Sequence, residues 1–197
     1  MKDKMTETIR EEKKALRSAV RKAERRMTME ARTAADRRIT QRVLSLPAYR
    51  AARTVFAYVG TQREIDTKAI LEDVLKQGKR LCVPLCTGEG IMVPKQIYSL
   101  EALHPGAYGI QEPAADAPDV PACEIDLALI PCVTCNHRGE RLGQGGGYYD
   151  RFLKSCSGET VMLCREELIR EVIPREMHDL KIGCVITDAG IWRISGS

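Results

Sequence analysis

Residues 126–133 read DLALIPCV, an almost unbroken apolar run, and a glycine-rich loop follows at 139–147. A strand with one face in water alternates apolar and polar side chains, whereas a strand covered on both faces is apolar throughout. The run therefore predicts a central strand with helices on both sides. Neighbouring segments agree. TVFAYVG (54–60), RLCVPLC (80–86), IMVPKQI (91–97), VMLC (161–164) and CVITD (184–188) read as strands, the second and third turning at Gly88-Glu89-Gly90. Residues 67–76, a short segment from Tyr148, and EELIREV (166–172) read as helices. Such alternation predicts an α/β fold, layered, with a largely parallel central sheet flanked by helices. Residues 112–124 are rich in Pro, Ala and Asp and read as an exposed loop.

The first third reads as an N-terminal helical pair. Ile9, Leu16, Val20, Ala23 and Met27 form a narrow apolar stripe at helical period. Thr28 is a candidate N-cap, and a second helical run ends at Leu46-Pro47. The 197 residues are expected to form one domain, with 1–47 packing on it as that helical pair. Charge is uneven. Residues 1–53 hold 16 Lys and Arg against 7 Asp and Glu, a net of +9, while the remainder carries −5. A basic arm suggests a nucleic-acid-binding module. Against that reading, acids interleave with the bases, and only two Phe and one Trp are available to stack on bases.

No segment approaches the roughly 18–20 continuous apolar residues of a membrane span. The N-terminal MKDKMTETIREEKKALR is charged where a secretory signal needs an apolar run. A cytoplasmic, reduced protein is expected, with no membrane contact. Eight cysteines are scattered along the chain and read as small packing groups. Cys132 and Cys135 make a C-x-x-C, but a lone pair is half of a zinc site, and no second C-x-x-C or H-x-x-x-H completes it. There is no H-E-x-x-H.

The segment NHRGERLGQGGGYYDRFL (136–153) carries the chemistry, with five glycines within nine residues between the central-strand candidate and a helix. Ligands of α/β sheets sit at the carboxyl ends of strands, and consecutive backbone N–H groups there bind phosphate oxygens. The spacing matches neither G-x-x-x-x-G-K-[ST] nor G-x-G-x-x-G. Arg138 and Arg141 can supply charge-assisted bonds, and Asp150 is an oxygen ligand suited to Mg²⁺. On a helical wheel Lys13 lies about 40° from Ile9 and about 60° from Leu16, inside the apolar stripe. Arg17 lies one turn on, on the same face. A lysine so placed points toward the body of the protein, where an unpaired charge is costly, so Lys13 is expected to enter a phosphate site.

The loop resembles the signature of the 5-formyltetrahydrofolate cyclo-ligase (5,10-methenyltetrahydrofolate synthetase) family, approximately G-x-R-L-G-x-G-x-G-[YF]-Y-D. Gly139, Arg141, Leu142, Gly143, Gly145, Gly147, Tyr148, Tyr149 and Asp150 match in register. KKALR (13–17), YVGTQREIDT (58–67), YGIQEP (108–113) and IPREMHD (173–179) resemble further blocks of the family in the expected order. The resemblance implies ATP- and Mg²⁺-dependent ring closure in folate and one-carbon metabolism. The formyl oxygen of 5-formyltetrahydrofolate attacks the γ-phosphate of ATP, N10 attacks the activated carbon, and phosphate leaves to give 5,10-methenyltetrahydrofolate and ADP.

Carried over residue by residue, the resemblance makes Arg141, Tyr149 and Asp150 catalytic. It assigns ATP binding to Lys13, Lys14, Arg17, Gly139, Arg141, Leu142, Gly143, Gln144, Gly145, Gly146 and Gly147. Val59, Glu64, Tyr148 and residues 144–147 fall to the folate, and Asp150 and Asp179 to the metal. A monomer acting on 5-formyltetrahydrofolate, including polyglutamylated forms, is implied. The chain departs from the family pattern P-G-x-x-F-D after the central strand, where it has Pro131-Cys132-Val133-Thr134-Cys135-Asn136. Those substitutions motivate a second reading, an ATP-binding relative acting on another substrate.

Overall fold

The computed structural model describes residues 2–106, 109–176 and 179–194. Tyr108 of the 108–113 block, and Met177 and His178 of the 173–179 block, lie outside the described residues. Helix α1 (Lys2–Arg26) and helix α2 (Met29–Ser45) form the N-terminal pair. Thr28 caps α2 in extended geometry, its hydroxyl accepting from the Ala31 N–H at 3.2 Å, which satisfies one otherwise orphaned donor of the first turn. Pro47 ends α2 as expected but also opens a further short helix, α3 (Pro47–Ala51). Proline suits a first helical position, where its missing N–H costs no bond.

Strands β1 (Thr54–Ala57), β2 (Arg80–Gly88), β3 (Ile91–Ile97), β6 (Leu127–Ile130), β9 (Glu159–Leu163), β10 (Cys184–Ile186) and β11 (Ile191–Arg193) make one seven-stranded sheet. Two small hairpins, β4 (His104–Pro105) with β5 (Gln111–Glu112) and β7 (Thr134–Cys135) with β8 (Arg141–Leu142), lie outside it. The order is β11-β10-β9-β6-β1-β2-β3. The strands from β10 to β2 run parallel, and β3 and β11 close the edges antiparallel. Helix α4 (Lys68–Lys76) connects β1 to β2, and α5 (Tyr148–Leu153) lies between β6 and β9 in sequence. Strand β6 is shorter than the apolar run suggested, because Pro131 brings no N–H to the ladder.

The central strands are buried throughout, and successive side chains point to opposite faces, as the pleat requires. Val55, Leu129 and Val161 join Ile39, Val43, Ile70 and Val74 of α2 and α4 on one face. Phe56, Ala128, Ile130 and Met162 join Val20 of α1 and Phe152 of α5 on the other. Each of these buried branched side chains contributes about 1.5–3 kcal/mol over exposure. The chain builds from β1 toward β3 on one side and from β6 toward β11 on the other, so the winding reverses between β1 and β6. That reversal opens a crevice beyond the strand ends.

Two expectations fail. EELIREV is not a helix but a single tight turn at Glu166–Leu168. The Arg170 N–H, which a helix would direct back to Glu166, bonds the Cys135 carbonyl instead, and the Glu171 carbonyl accepts from Asn136 and Arg138. The segment uses its backbone to hold the β7–β8 hairpin. Residues 112–124 are not wholly an exposed loop either. Glu112 and Val120 are buried, and Gln96 and Val120 N–H groups lace the segment along β3 through the carbonyls of Pro118 and Pro94. This lacing covers an edge strand that would otherwise offer unpaired groups.

Candidate active site

The crevice between β1 and β6 is real. A narrow cleft is lined there by Tyr58 beyond β1, Cys132 beyond β6, Cys164 beyond β9, and by Arg21, Glu24, Glu64, Gln144 and Arg165.

Helix α1 lies along one side and supplies three cations at four-residue spacing. Lys13 Nζ donates to Asp179 Oδ2 at 2.7 Å and to Glu176 Oε2 at 2.8 Å. Arg17 Nε donates to the Gly143 carbonyl at 2.8 Å, and Arg21 Nη2 donates to Gln144 Oε1 at 2.8 Å. The wheel position of Lys13 thus does turn it inward, its side chain only 12% exposed. Burial draws its pKa down, but hydrogen bonds to Asp179 and Glu176 hold it above the ordinary lysine value. An ammonium has three donors, and two are engaged. For Arg17, burial and then the neighbouring Arg21 draw the pKa below the ordinary arginine value. Lys14, one position from Lys13, is exposed, and no hydrogen bond or ion pair joins it to the loop among the described residues.

The glycine loop is shaped by its own backbone. Gly145 has φ +103° and Gly147 φ +71°, conformations that side chains disfavour. A Cβ on Gly145 would stand 3.4 Å from Arg17 Nη2, so the guanidinium lies directly against that glycine. The N–H groups of Gln144, Gly145, Gly146 and Gly147 find no protein acceptor among the described residues. Arg141 is fixed beneath them, its Nη2 2.5 Å from Asp150 Oδ1 and its guanidinium 5.9 Å from the Tyr149 ring centre. Its buried Nε has no hydrogen-bond partner. An orphaned buried donor is costly; taken together with the unbonded loop N–H groups it makes a donor set with the chemistry of a polyphosphate cradle. Gly139 and Leu142 act further back. Gly139, at φ +81°, meets the Ile182 backbone, and Leu142 is buried in the β7–β8 hairpin.

The remaining candidates divide. Glu64 lines the cleft, with Oε2 accepting from the Thr61 N–H and hydroxyl at 3.2 and 3.0 Å. Its carbonyl accepts from Arg165, which makes a buried two-pronged ion pair with Asp36 of α2 at 2.8 Å. Tyr149 packs edge-on to Phe56, and burial, then the Glu64 charge, push its phenol far above the ordinary tyrosine value. A neutral phenol is the result. Val59 packs beside the core rather than lining the cleft. Tyr148 lines a second hollow with Met92, Pro94 and Phe152, so it and Glu64 are not in one cleft. Asp150 and Asp179 are each engaged by a cation, Arg141 and Lys13. Among the described residues no carboxylate cluster joins them. Mg²⁺ commonly takes only one or two protein carboxylates beside substrate phosphates, so Asp150, with a second oxygen, fits that use.

Arg21, Glu176 and Arg165 were not singled out in the sequence. Arg21 has a signal, since it stands one turn beyond Arg17 on the same face. Glu176 stands inside the 173–179 block, but nothing in the sequence ties it to Lys13, 163 residues away, and Arg165, whose partner lies 129 residues away, has no signal.

A family model for the 5-formyltetrahydrofolate cyclo-ligase family matches residues 9–188. The chain is 28% identical over 199 residues to 5-formyltetrahydrofolate cyclo-ligase of Mus musculus, covering 91% of this chain and 95% of that one. It is 34% identical over 217 residues to a mitochondrial 5-formyltetrahydrofolate cyclo-ligase of Arabidopsis thaliana, covering 96% and 78%. The solution structure of 5,10-methenyltetrahydrofolate synthetase from Aquifex aeolicus superposes with a TM-score of 0.83 at 28% identity, covering 94% of each chain. The chain belongs to the 5-formyltetrahydrofolate cyclo-ligase family.

Proposed function

We propose that this protein closes 5-formyltetrahydrofolate to 5,10-methenyltetrahydrofolate at the expense of ATP, releasing ADP and phosphate. Family membership over residues 9–188 supports the reaction. The observation that carries it at the level of atoms is the meeting of Arg17 with Gly143 at 2.8 Å, which sets a cationic helix against a loop of unbonded N–H groups. Phosphoryl transfer is catalysed chiefly by positioning and charge neutralisation, and those are what this arrangement offers.

In this reading Arg17, Arg141 and the third donor of Lys13 hold phosphate oxygens, and the N–H groups of residues 144–147 fix the γ-phosphate in line with the formyl oxygen. Asp150 holds Mg²⁺, which neutralises phosphate charge when bound. Glu64, held by Thr61 and by the Asp36–Arg165 pair, orients the pterin and its formyl group in the cleft. Tyr149, packed edge-on to Phe56 with the Arg141 guanidinium 5.9 Å from its ring centre, keeps that arginine in place. Basic residues of α1 favour an anionic, glutamate-tailed folate at long range.

All eight cysteines are free thiols, which accords with a reducing, cytoplasmic setting. No helix among the described residues is long and apolar enough to cross a membrane. The test is optical. Enzyme, Mg²⁺, ATP and 5-formyltetrahydrofolate should give the near-ultraviolet absorbance of the methenyl product, and no rise would refute the reading. ATP binding without folate turnover would favour the relative that acts on another substrate.

A further inference from the structure

Three thiols beside the cleft have no part in the ring closure. The sulfur atoms of Cys132, Cys135 and Cys164 all lie within 4.8 Å of one another, Cys135 and Cys164 buried and Cys132 half-buried. Sequence spacing shows only the first two. The sheet supplies the third: β6 and β9 are parallel with Ile130 opposite Met162, so two residues further on Cys132 and Cys164 leave the sheet side by side. Cys135 returns over them on β7, held there by the bond from Arg170 N–H to its carbonyl.

Sulfurs sharing one ion at about 2.3 Å stand roughly 3.8–4.0 Å apart, so a contraction of under about an ångström closes the set. Ligation requires thiolates, which burial opposes. Here the Cys132 and Cys164 thiols donate to the carbonyls of Leu163 and Arg165, each at 3.5 Å, and these are the protons a bound dication would displace. Disulfide formation would need an oxidant that neither the cleft nor the ring closure supplies; metal binding needs none.

We propose that Cys132, Cys135 and Cys164 form a thiolate site for one zinc ion, its fourth position open to the cleft that Cys132 and Cys164 line. Three Zn–S bonds form, the thiol protons pass to solvent, and no electrons are transferred. The proposal is independent of the folate reaction.

The experiment uses the full, reduced, metal-free chain and zinc in competition with a chromophoric chelator. One zinc should bind per chain with release of protons, and cadmium in its place should give a sulfur-to-metal charge-transfer band. Cys164→Ala should weaken zinc binding by more than about a hundredfold, beyond what outer-shell partners cost. Cys184→Ala, which removes a buried thiol elsewhere in the sheet, should leave it unchanged. Should Cys164→Ala fail to fold, the wild-type chain decides: zinc should slow alkylation of Cys132 and leave exposed Cys123 unaffected. Failure to compete with the chelator, equal affinity in folded Cys164→Ala, or unchanged alkylation of Cys132 would each overturn the site.

Discussion

Lys13 Nζ lies 2.7 Å from Asp179 Oδ2, joining the first helix to a residue 166 positions later in the chain. The pair shuts one end of the cradle made by α1 and the glycine loop. Lys13→Met removes the cation that Asp179 and Glu176 share and, in the proposed reading, one phosphate donor. A hydrogen bond to a charged group is worth about 1.5–3 kcal/mol, so kcat/KM for ATP should fall about tenfold to a hundredfold. Steady-state kinetics at saturating folate checks this, and an unchanged value would remove Lys13 from the site.

Gly145→Ala tests the loop itself. At φ +103° a side chain is strained, and its Cβ would press on Arg17 at 3.4 Å. Strain of this kind costs about 1–3 kcal/mol. The exposed loop can relax part of that strain, so the melting temperature should fall by only about 2–4 °C while KM for ATP rises about tenfold. Equal losses of stability and affinity would indicate a purely structural loop.

Asp36→Ala breaks the pair that holds the Glu64 segment. Arg165 is only 3% exposed and Asp36 11%, and stranding one member of a buried pair costs about 3–5 kcal/mol. Urea denaturation should show that loss, and the remaining folded protein should have a raised KM for the folate rather than for ATP.

The acid limb of stability should involve Glu140. Burial raises its pKa, but the hydrogen bond from Asn136, then Lys181, Arg175 and Arg138, outweigh burial and hold it below its ordinary 4.5. A carboxylate depressed in the fold stabilises fully above its unfolded value and loses that contribution as pH falls through its folded value. Glu140→Gln should therefore be less stable than wild type at about pH 7, and the gap should narrow below about pH 4.5. A gap constant with pH would contradict this.

The local parts of this molecule were legible in the sequence. The two-faced burial of β6 follows from DLALI, the α1 face from the stripe that Lys13 interrupts, and the left-handed turns of the loop from its glycines. Pairings across the chain were not. Arg165 looks like any arginine after a strand until α2 brings Asp36 to it, and Cys164 looks like a packing residue until parallel register sets it beside Cys132. The turn at 166–168 was misread for the same reason, since its backbone is taken by Cys135, Asn136 and Arg138. Strand β11 is three residues long and half in water, too short to announce itself.

The central claim is that the cradle of Lys13, Arg17, Arg141 and the glycine loop couples ATP cleavage to folate ring closure. Its most direct measurement is the stoichiometry of ADP to methenyl product in one reaction mixture. Expected is one ADP per 5,10-methenyltetrahydrofolate, ADP release that requires 5-formyltetrahydrofolate, and parallel loss of both products in Arg17→Ala. Release of ADP without the folate, or methenyl product without ATP, would contradict it.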